Sequence, residues 1–203
     1  MNTKFLGKTL VASALVLTTL GTGLHSSYLG LDTNKVVKTA KAEENMTDGQ
    51  LWKKVKDSLI DSDIISGNRD EEIKVTYSLK DGNSPSVTAP GNDSGDNFNQ
   101  KIDFGSLKQV DISKQNIGEE DFNKRLDANK TWNTFTQKLK DAGLLKNGQK
   151  VTIQTTNPTT SSTNSITGTV GETLNDKNAD PLEKRLINKI TIELSLNSNF
   201  LNS

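Results

Sequence analysis

The sequence predicts an α+β protein whose helices pack on a mainly antiparallel sheet, organised as a tandem αββ duplication. Two observations carry that expectation. Leu51-Trp52-x-x-Val55-x-x-x-Leu59-x-Asp61-x-x-Ile64-Ile65 matches Thr131-Trp132-x-x-Phe135-x-x-x-Leu139-x-Asp141-x-x-Leu144-Leu145 at a constant offset of 80 residues. Each helical pattern then leads into alternating strands, first Lys74-Val75-Thr76-Tyr77 and Lys150-Val151-Thr152-Ile153, then Lys101-Ile102-Asp103-Phe104 and Lys189-Ile190-Thr191-Ile192. Two unrelated helix–strand units that share a pattern are the alternative.

Taken in order, Thr47-x-x-Gln50 has the form of a capping box, and Leu51, Trp52, Val55 and Leu59 share one helical face before Ser66-Gly67-Asn68 ends the element. Ile73, Val75, Tyr77 and Leu79 alternate with polar neighbours up to the turn pair Asp81-Gly82. Residues 83–99 hold Ser, Pro, Gly, Asn and Asp with few apolar side chains, which predicts a long exposed loop. Ile102 and Phe104 restart the alternation, and Val110 and Ile112 extend it.

Residues 118–142 predict one helix with Phe122, Leu126, Trp132, Phe135 and Leu139 as its apolar stripe and Gly143 as its C-terminal cap. Val151 and Ile153 open a strand, 157–164 is a Ser/Thr/Asn/Pro loop, and 166–170 is a short strand. Residues 181–186 suit one or two helical turns, and Ile190, Ile192, Leu194 and Leu196 give the clearest strand. The organisation expected is a leader at 1–42, a first αββ half at 43–112 and a second at 113–203, the halves forming one compact domain or two small ones.

The leader reading rests on Lys4 and Lys8, the apolar run from Thr9 to Leu20, and the small-x-small site Ala40-Lys41-Ala42 followed by Glu43. That run is shorter than a bilayer span. Cleavage between Ala42 and Glu43 leaves a secreted, extracellular chain, with no cysteine to carry lipid and no insertion in a membrane after cleavage. The whole chain balances 25 basic against 25 acidic side chains; the leader removes five lysines and Asp32, leaving 20 against 24 and a net charge of −4. No concentrated basic face for nucleic acid or anionic lipid is expected.

The single histidine, His25, falls in the leader, so the mature chain has neither histidine nor cysteine for Ser-His-Asp, Cys-His or thiolate–histidine metal chemistry. No Walker pattern or G-x-G-x-x-G follows a strand. Asp93 and Asp96 form one acidic cluster and Asp176, Asn178 and Asp180 another, but neither follows the order of a calcium loop. Glu119-Glu120-Asp121 most simply opens a helix at the positive end of its dipole. Trp52 and Trp132 share their helix faces with apolar neighbours, so core packing is expected ahead of a surface anchor. Accordingly no catalytic, cofactor-binding or metal-ligating residue is assigned, and no cofactor is expected.

Asn34-Lys35-Val36-Val37-Lys38-Thr39-Ala40-Lys41-Ala42 resembles the end of the leader of staphylococcal toxic shock toxin precursors, the resemblance ending at the cleavage site. With the leader and the segment Met46 to Lys56, the chain resembles the exported Ear proteins of staphylococcal pathogenicity islands. That resemblance implies a penicillin-binding or β-lactamase-like label, which can be tested on the residues. Ser162-Thr163-Asn164 fits a Ser-x-Asn element and Thr167-Gly168 part of a Lys-Thr-Gly element with Ile166 in place of lysine, but no serine has lysine three residues later. The nearest, Ser66-Gly67-Asn68-Arg69, ends in an arginine that cannot act as a base.

The function expected is therefore a secreted, virulence-associated binding protein acting on a host or competitor protein. A penicillin-recognising or carboxylate-based hydrolase is the first alternative, and a structural or immunity module kept near the producing cell is the second.

Overall fold

Thr47 starts the first helix, α1 (Asp48–Asp61), through a capping box: its hydroxyl accepts from the Gln50 N–H at 3.2 Å, and the Gln50 side chain accepts from the Thr47 N–H at 2.8 Å. The computed structural model describes residues 46–194. The expected leader and its expected cleavage site, Ala42 and Glu43, lie outside the described residues. Leu51, Trp52, Val55 and Leu59 form the buried face of α1. The helix stops at Asp61, before the Ser66-Gly67-Asn68 signal, because Ser62 caps it and Asp63 turns the chain with φ 62°.

Three strands follow, β1 (Glu71–Leu79), β2 (Ser86–Pro90) and β3 (Phe104–Lys114). The expectation of an unbroken loop over 83–99 is corrected by β2. Its two inward residues, Val87 and Ala89, are buried against β1, and the prolines at 85 and 90 disguise so short an edge strand as a loop. The single helix expected over 118–142 is likewise corrected. A short helix α2 (Glu119–Phe122) is followed by the two-residue strand β4 (Arg125–Leu126) and then by α3 (Ala128–Asp141), whose N-cap Asp127 accepts from the Lys130 N–H at 2.8 Å. Phe122 is consequently exposed instead of lying in the stripe, with the Arg185 guanidinium 4.1 Å above its ring.

The chain continues through β5 (Lys150–Thr156), β6 (Thr163–Thr169), β7 (Leu182–Glu183), a 3-10 turn at Lys184–Leu186 and β8 (Ile187–Glu193). Gly143 follows α3 with φ 76°, as its expected role as a cap requires. The fold is α+β: one six-stranded antiparallel sheet in the order β2-β1-β3-β8-β5-β6, with β4 and β7 as a separate pair. α1 lies against β1 and β2, α3 against β6, and the helices touch each other, tied by Lys138 to Asp61 at 2.7 Å.

That order is the same when read from either end by repeat. β1, β2 and β3 of one repeat correspond to β5, β6 and β8 of the other, so each unit is αβββ. The registers make the correspondence residue by residue. Ile73 pairs with Ala89 and Ile112, as Val151 pairs with Gly168 and Ile192; Val75 pairs with Val87 and Val110, as Ile153 pairs with Ile166 and Ile190. At the seam, Val110 pairs with Ile190, its own counterpart, and the flanking pairs Gln109–Thr191 and Asp111–Lys189 exchange under the same two-fold operation. The expected equivalence of Lys101–Phe104 with Lys189–Ile192 is therefore corrected. The counterpart of Lys189–Ile192 is Gln109–Ile112, whereas Lys101 makes only an isolated bridge to Thr47 and β3 begins at Phe104.

The tryptophans obey the same symmetry. Trp52 Nε1 donates to the Ile73 carbonyl at 3.1 Å and Trp132 Nε1 to the Val151 carbonyl at 2.9 Å, both indoles being fully buried. Each ring thus fixes its helix over the start of the next strand. The repeats differ at Ala89 and Gly168, because a Cβ at Gly168 would stand 2.7 Å from the Trp132 ring. Gly168→Ala should destabilise by about 1–3 kcal/mol through overpacking, and Trp132→Ala by about 3–5 kcal/mol through the cavity it leaves. Urea denaturation of the two variants checks both; a neutral Gly168→Ala would mean that the indole does not pack where it is placed.

Candidate functional site

Several of the places where the two repeats depart from their symmetry gather at one spot, the junction between them. Asp63 and Gly143 hold the same position after their helices, and both take left-handed backbone, φ 62° and 76°. An aspartate there costs on the order of 1 kcal/mol that glycine avoids. Glu71 and Gln149 also correspond. Gln149 Oε1 accepts from one backbone N–H, that of Lys146, at 2.6 Å. The Glu71 carboxylate, buried, accepts from the N–H groups of Ser66, Gly67 and Asn68 at 2.9, 2.7 and 3.2 Å, so the two-residue-longer turn of the first repeat closes around an anion.

Lys184, from the turn before β8, enters this turn almost wholly buried, at 3 % exposure. Its ammonium donates to Asp63 Oδ1 at 2.9 Å, to Ser66 Oγ at 2.9 Å and to Asp121 Oδ1 at 3.0 Å. Ser66 in turn donates to Asp121 Oδ2, and Lys124 reaches Asp63 Oδ2 at 2.6 Å. Lys114 ends the inward register of Val110 and Ile112 in β3. Its ammonium donates to the carbonyls of Ile64, at 2.7 Å, and Lys184, at 2.5 Å. The end of the first helix, the third strand, the connector and the second repeat therefore all meet at two ammonium groups.

Burial opposes the charge on Lys184, but hydrogen bonds and charge from Asp63 and Asp121 outweigh it and raise its pKa above the ordinary lysine value. Burial likewise works to raise Asp63 and Asp121. The hydrogen bonds of Lys124 and Lys184 to Asp63, and of Ser66 and Lys184 to Asp121, with the lysine charges, hold both carboxyls below the ordinary value instead. Lys114 goes the other way. Burial brings it down to about 8, Glu71 opposing and the Lys184 ammonium adding to the depression.

Chemically this is a charge clasp. A serine hydroxyl 2.9 Å from a lysine Nζ has the outline of a Ser-Lys nucleophile pair, but Lys184 is held as an ammonium by two carboxylates and has no free electron pair for a proton. The cavity beside it, lined by Glu71, Lys114, Asp121 and Arg185 among others, has a volume of about 20 Å³, room for a single water.

The residues weighed from sequence lie elsewhere. Ser162 closes the β5–β6 hairpin, its carbonyl accepting from the Asn157 N–H at 2.9 Å. Asp93 Oδ1 accepts from Gly95 N–H at 2.7 Å and Asp176 Oδ1 from Asn178 N–H at 2.9 Å, so both serve local turns. Among the described residues no three Asp, Glu, His or Cys side chains gather as a metal site would need, and no helix is long and apolar enough to cross a membrane. Of the sequence-weighed groups only Asp121 and Ser66 join the clasp. Lys114, Lys184, Glu71 and Asp63 were missed, although a lysine in register with Val110 and Ile112 was a usable signal.

A family model described as a domain of unknown function (DUF4888) matches residues 47–192. The matched span opens at the cap of α1 and closes within β8, so it takes in both repeats. No curated protein matches the chain.

Lys184→Met, which leaves Asp63 and Asp121 without their shared cation, should destabilise the protein by about 2–4 kcal/mol, reduced from the fully buried case by the partial exposure of Asp63. Because both carboxyls sit below their unfolded values, the stability they supply is complete above the ordinary carboxylate range, at about pH 4, and is lost as pH falls through their folded values. Urea midpoints measured down through that range should fall steeply in the native protein and less so in Asp63→Asn/Asp121→Asn. Parallel acid limbs in the two proteins would contradict the clasp.

Proposed function

We propose that this chain, which belongs to the DUF4888 family, is an exported binding protein that engages a host or competitor macromolecule through the open face of its sheet. The observation that supports this reading is the one-sided covering of the sheet. Both long helices pack against the same face, and the opposite face carries Lys74, Thr76, Asp111, Thr152, Thr167 and Thr191 partly or fully exposed, from β1 across to β6. Such a face is open, rich in hydroxyls and of mixed charge, suited to a broad polar contact more than to enclosing a small molecule. The leader at 1–42 and its likeness to exported Ear proteins support the secreted, virulence-associated role, and within the family the chain is read as Ear-type.

The hydrolase reading has one observation in its favour, the Ser66–Lys184 hydrogen bond. The ammonium state of Lys184 weighs against it, since acylation of a serine needs a base to take its proton.

The test is capture by the mature protein, purified from culture supernatant with its N-terminus read as Glu43. Against serum and leukocyte-surface proteins it should retain a partner saturably, and Thr191→Arg, at the centre of the open face, should weaken retention about tenfold without moving the urea midpoint. Undiminished capture by Thr191→Arg would remove the sheet face from the account. A stoichiometric adduct with fluorescent penicillin that disappears in Ser66→Ala would replace the binding reading with the enzymatic one.

A further inference from the structure

The six-stranded sheet has two outer edges, and the internal symmetry makes them comparable position by position: Ser86, Val87, Thr88, Ala89 and Pro90 of β2 correspond to Ser165, Ile166, Thr167, Gly168 and Thr169 of β6. The first edge is blunted. Pro85 and Pro90 bracket β2, and Pro90 has no N–H to offer where its counterpart Thr169 has one. β6 carries neither proline nor charge anywhere from Thr163 to Thr169.

Which groups of β6 are free follows from its ladder. Asn157 N–H to the Ser162 carbonyl, 2.9 Å, and Val170 N–H to the Gln149 carbonyl, 2.8 Å, mark hydrogen-bonded pairs at the two ends of an unbroken register. By the antiparallel alternation Asn164, Ile166 and Gly168 turn their backbone groups to β5, and Thr163, Ser165 and Thr167 turn theirs outward together with the Thr169 N–H. The Thr169 carbonyl is taken by the Glu172 N–H at 3.1 Å. Among the described residues no hydrogen bond reaches the outward groups.

We propose that β6 is a homophilic docking edge, which pairs antiparallel with β6 of a second copy of this chain about a two-fold axis at Ile166. The sequence of the strand singles out a second copy. Centred on Ile166, self-pairing sets Ser165 opposite Thr167 of the other copy, where N–H meets carbonyl in both directions, and Thr163 opposite Thr169, where the Thr169 N–H meets the Thr163 carbonyl. All four are hydroxyl residues on the open face, the kind of cross-strand pair that already links Thr152 and Thr167 at 2.8 Å. Because the strand has no charge, the two-fold places no like charges opposite each other. The mode is one that the chain uses internally, since β3 and β8 join the repeats by antiparallel pairing about Val110–Ile190.

This inference is independent of the partner proposed for the open face. Its test is sedimentation equilibrium of the mature protein across the micromolar range. Ser165→Pro removes an N–H that the fold itself does not use, and Thr167→Lys sets like charges across the two-fold. The expected result is a reversible monomer–dimer equilibrium in the native protein, weakened at least about tenfold in each variant. Urea midpoints unchanged at concentrations where the native protein is monomeric show that the variants are folded; should Ser165→Pro fail to fold, Thr167→Lys decides. A native protein that stays monomeric at every concentration overturns the proposal, and so does a dimer that Thr167→Lys leaves intact.

Discussion

The antiparallel pairing of β3 with β8 is the constraint on which the rest of the described chain depends. Each repeat alone would be one helix over three short strands, with the third strand's outer edge bare and its helix face only half covered, too little for a stable core. Joining Val110 to Ile190 removes both edges, makes one six-stranded sheet, and sets α1 beside α3 so that Trp52 and Trp132 anchor neighbouring parts of one apolar layer. Val110 and Ile190 are fully buried, each stabilising by about 1.5–3 kcal/mol. The seam also brings the end of β3 against the turn before β8, which is why Lys114 can donate to the carbonyl of Lys184.

Symmetry makes its own exceptions visible. Where the repeats agree, at the capped helices, the indole-to-carbonyl bonds and the strand registers, the residues serve packing. Where they part at the junction, charge has been added. Glycine at 143 becomes Asp63, glutamine at 149 becomes Glu71, and the connector between repeats supplies Asp121 and Lys124. The result is a clasp in which one buried lysine satisfies three side-chain acceptors across the junction. A buried ammonium with a full set of partners adds specificity of docking even where its net stabilisation is modest, because any other arrangement of the repeats would leave charges unpaired. The same comparison exposes the difference between the edges, proline in one and hydroxyl residues in the other.

The amino-acid pattern made the α+β class, both long helices and the repeat legible, because 3.6- and 2-residue periodicities follow directly from which face is buried. It failed where the deciding contact is distant in sequence. Val87 and Ala89 become a strand only because β1 lies beside them, and the loop composition around them hides it. The break in the helix at Asn123 follows from β4 pairing with β7, nearly 60 residues on, which no local propensity encodes. The strand equivalence was misjudged because Lys101-Ile102 imitates Lys189-Ile190 in type, whereas the true counterpart, Gln109-Val110, differs in its polar residue and agrees only in register. The clasp was least legible of all. Its members lie at 63, 66, 71, 114, 121, 124 and 184, and only the fold makes them neighbours.

If the seam makes the repeats one structure, they must unfold together. Trp132→Phe leaves Trp52 as the sole indole reporter of the first repeat, and Trp52→Phe leaves Trp132 to report the second. Urea unfolding followed by tryptophan fluorescence in each variant, beside far-UV circular dichroism of the same sample, should give one transition with coincident midpoints for both probes within that variant. A repeat whose indole is released at a lower urea concentration than the loss of the remaining secondary structure would show that the two halves are separately stable, and would contradict the account.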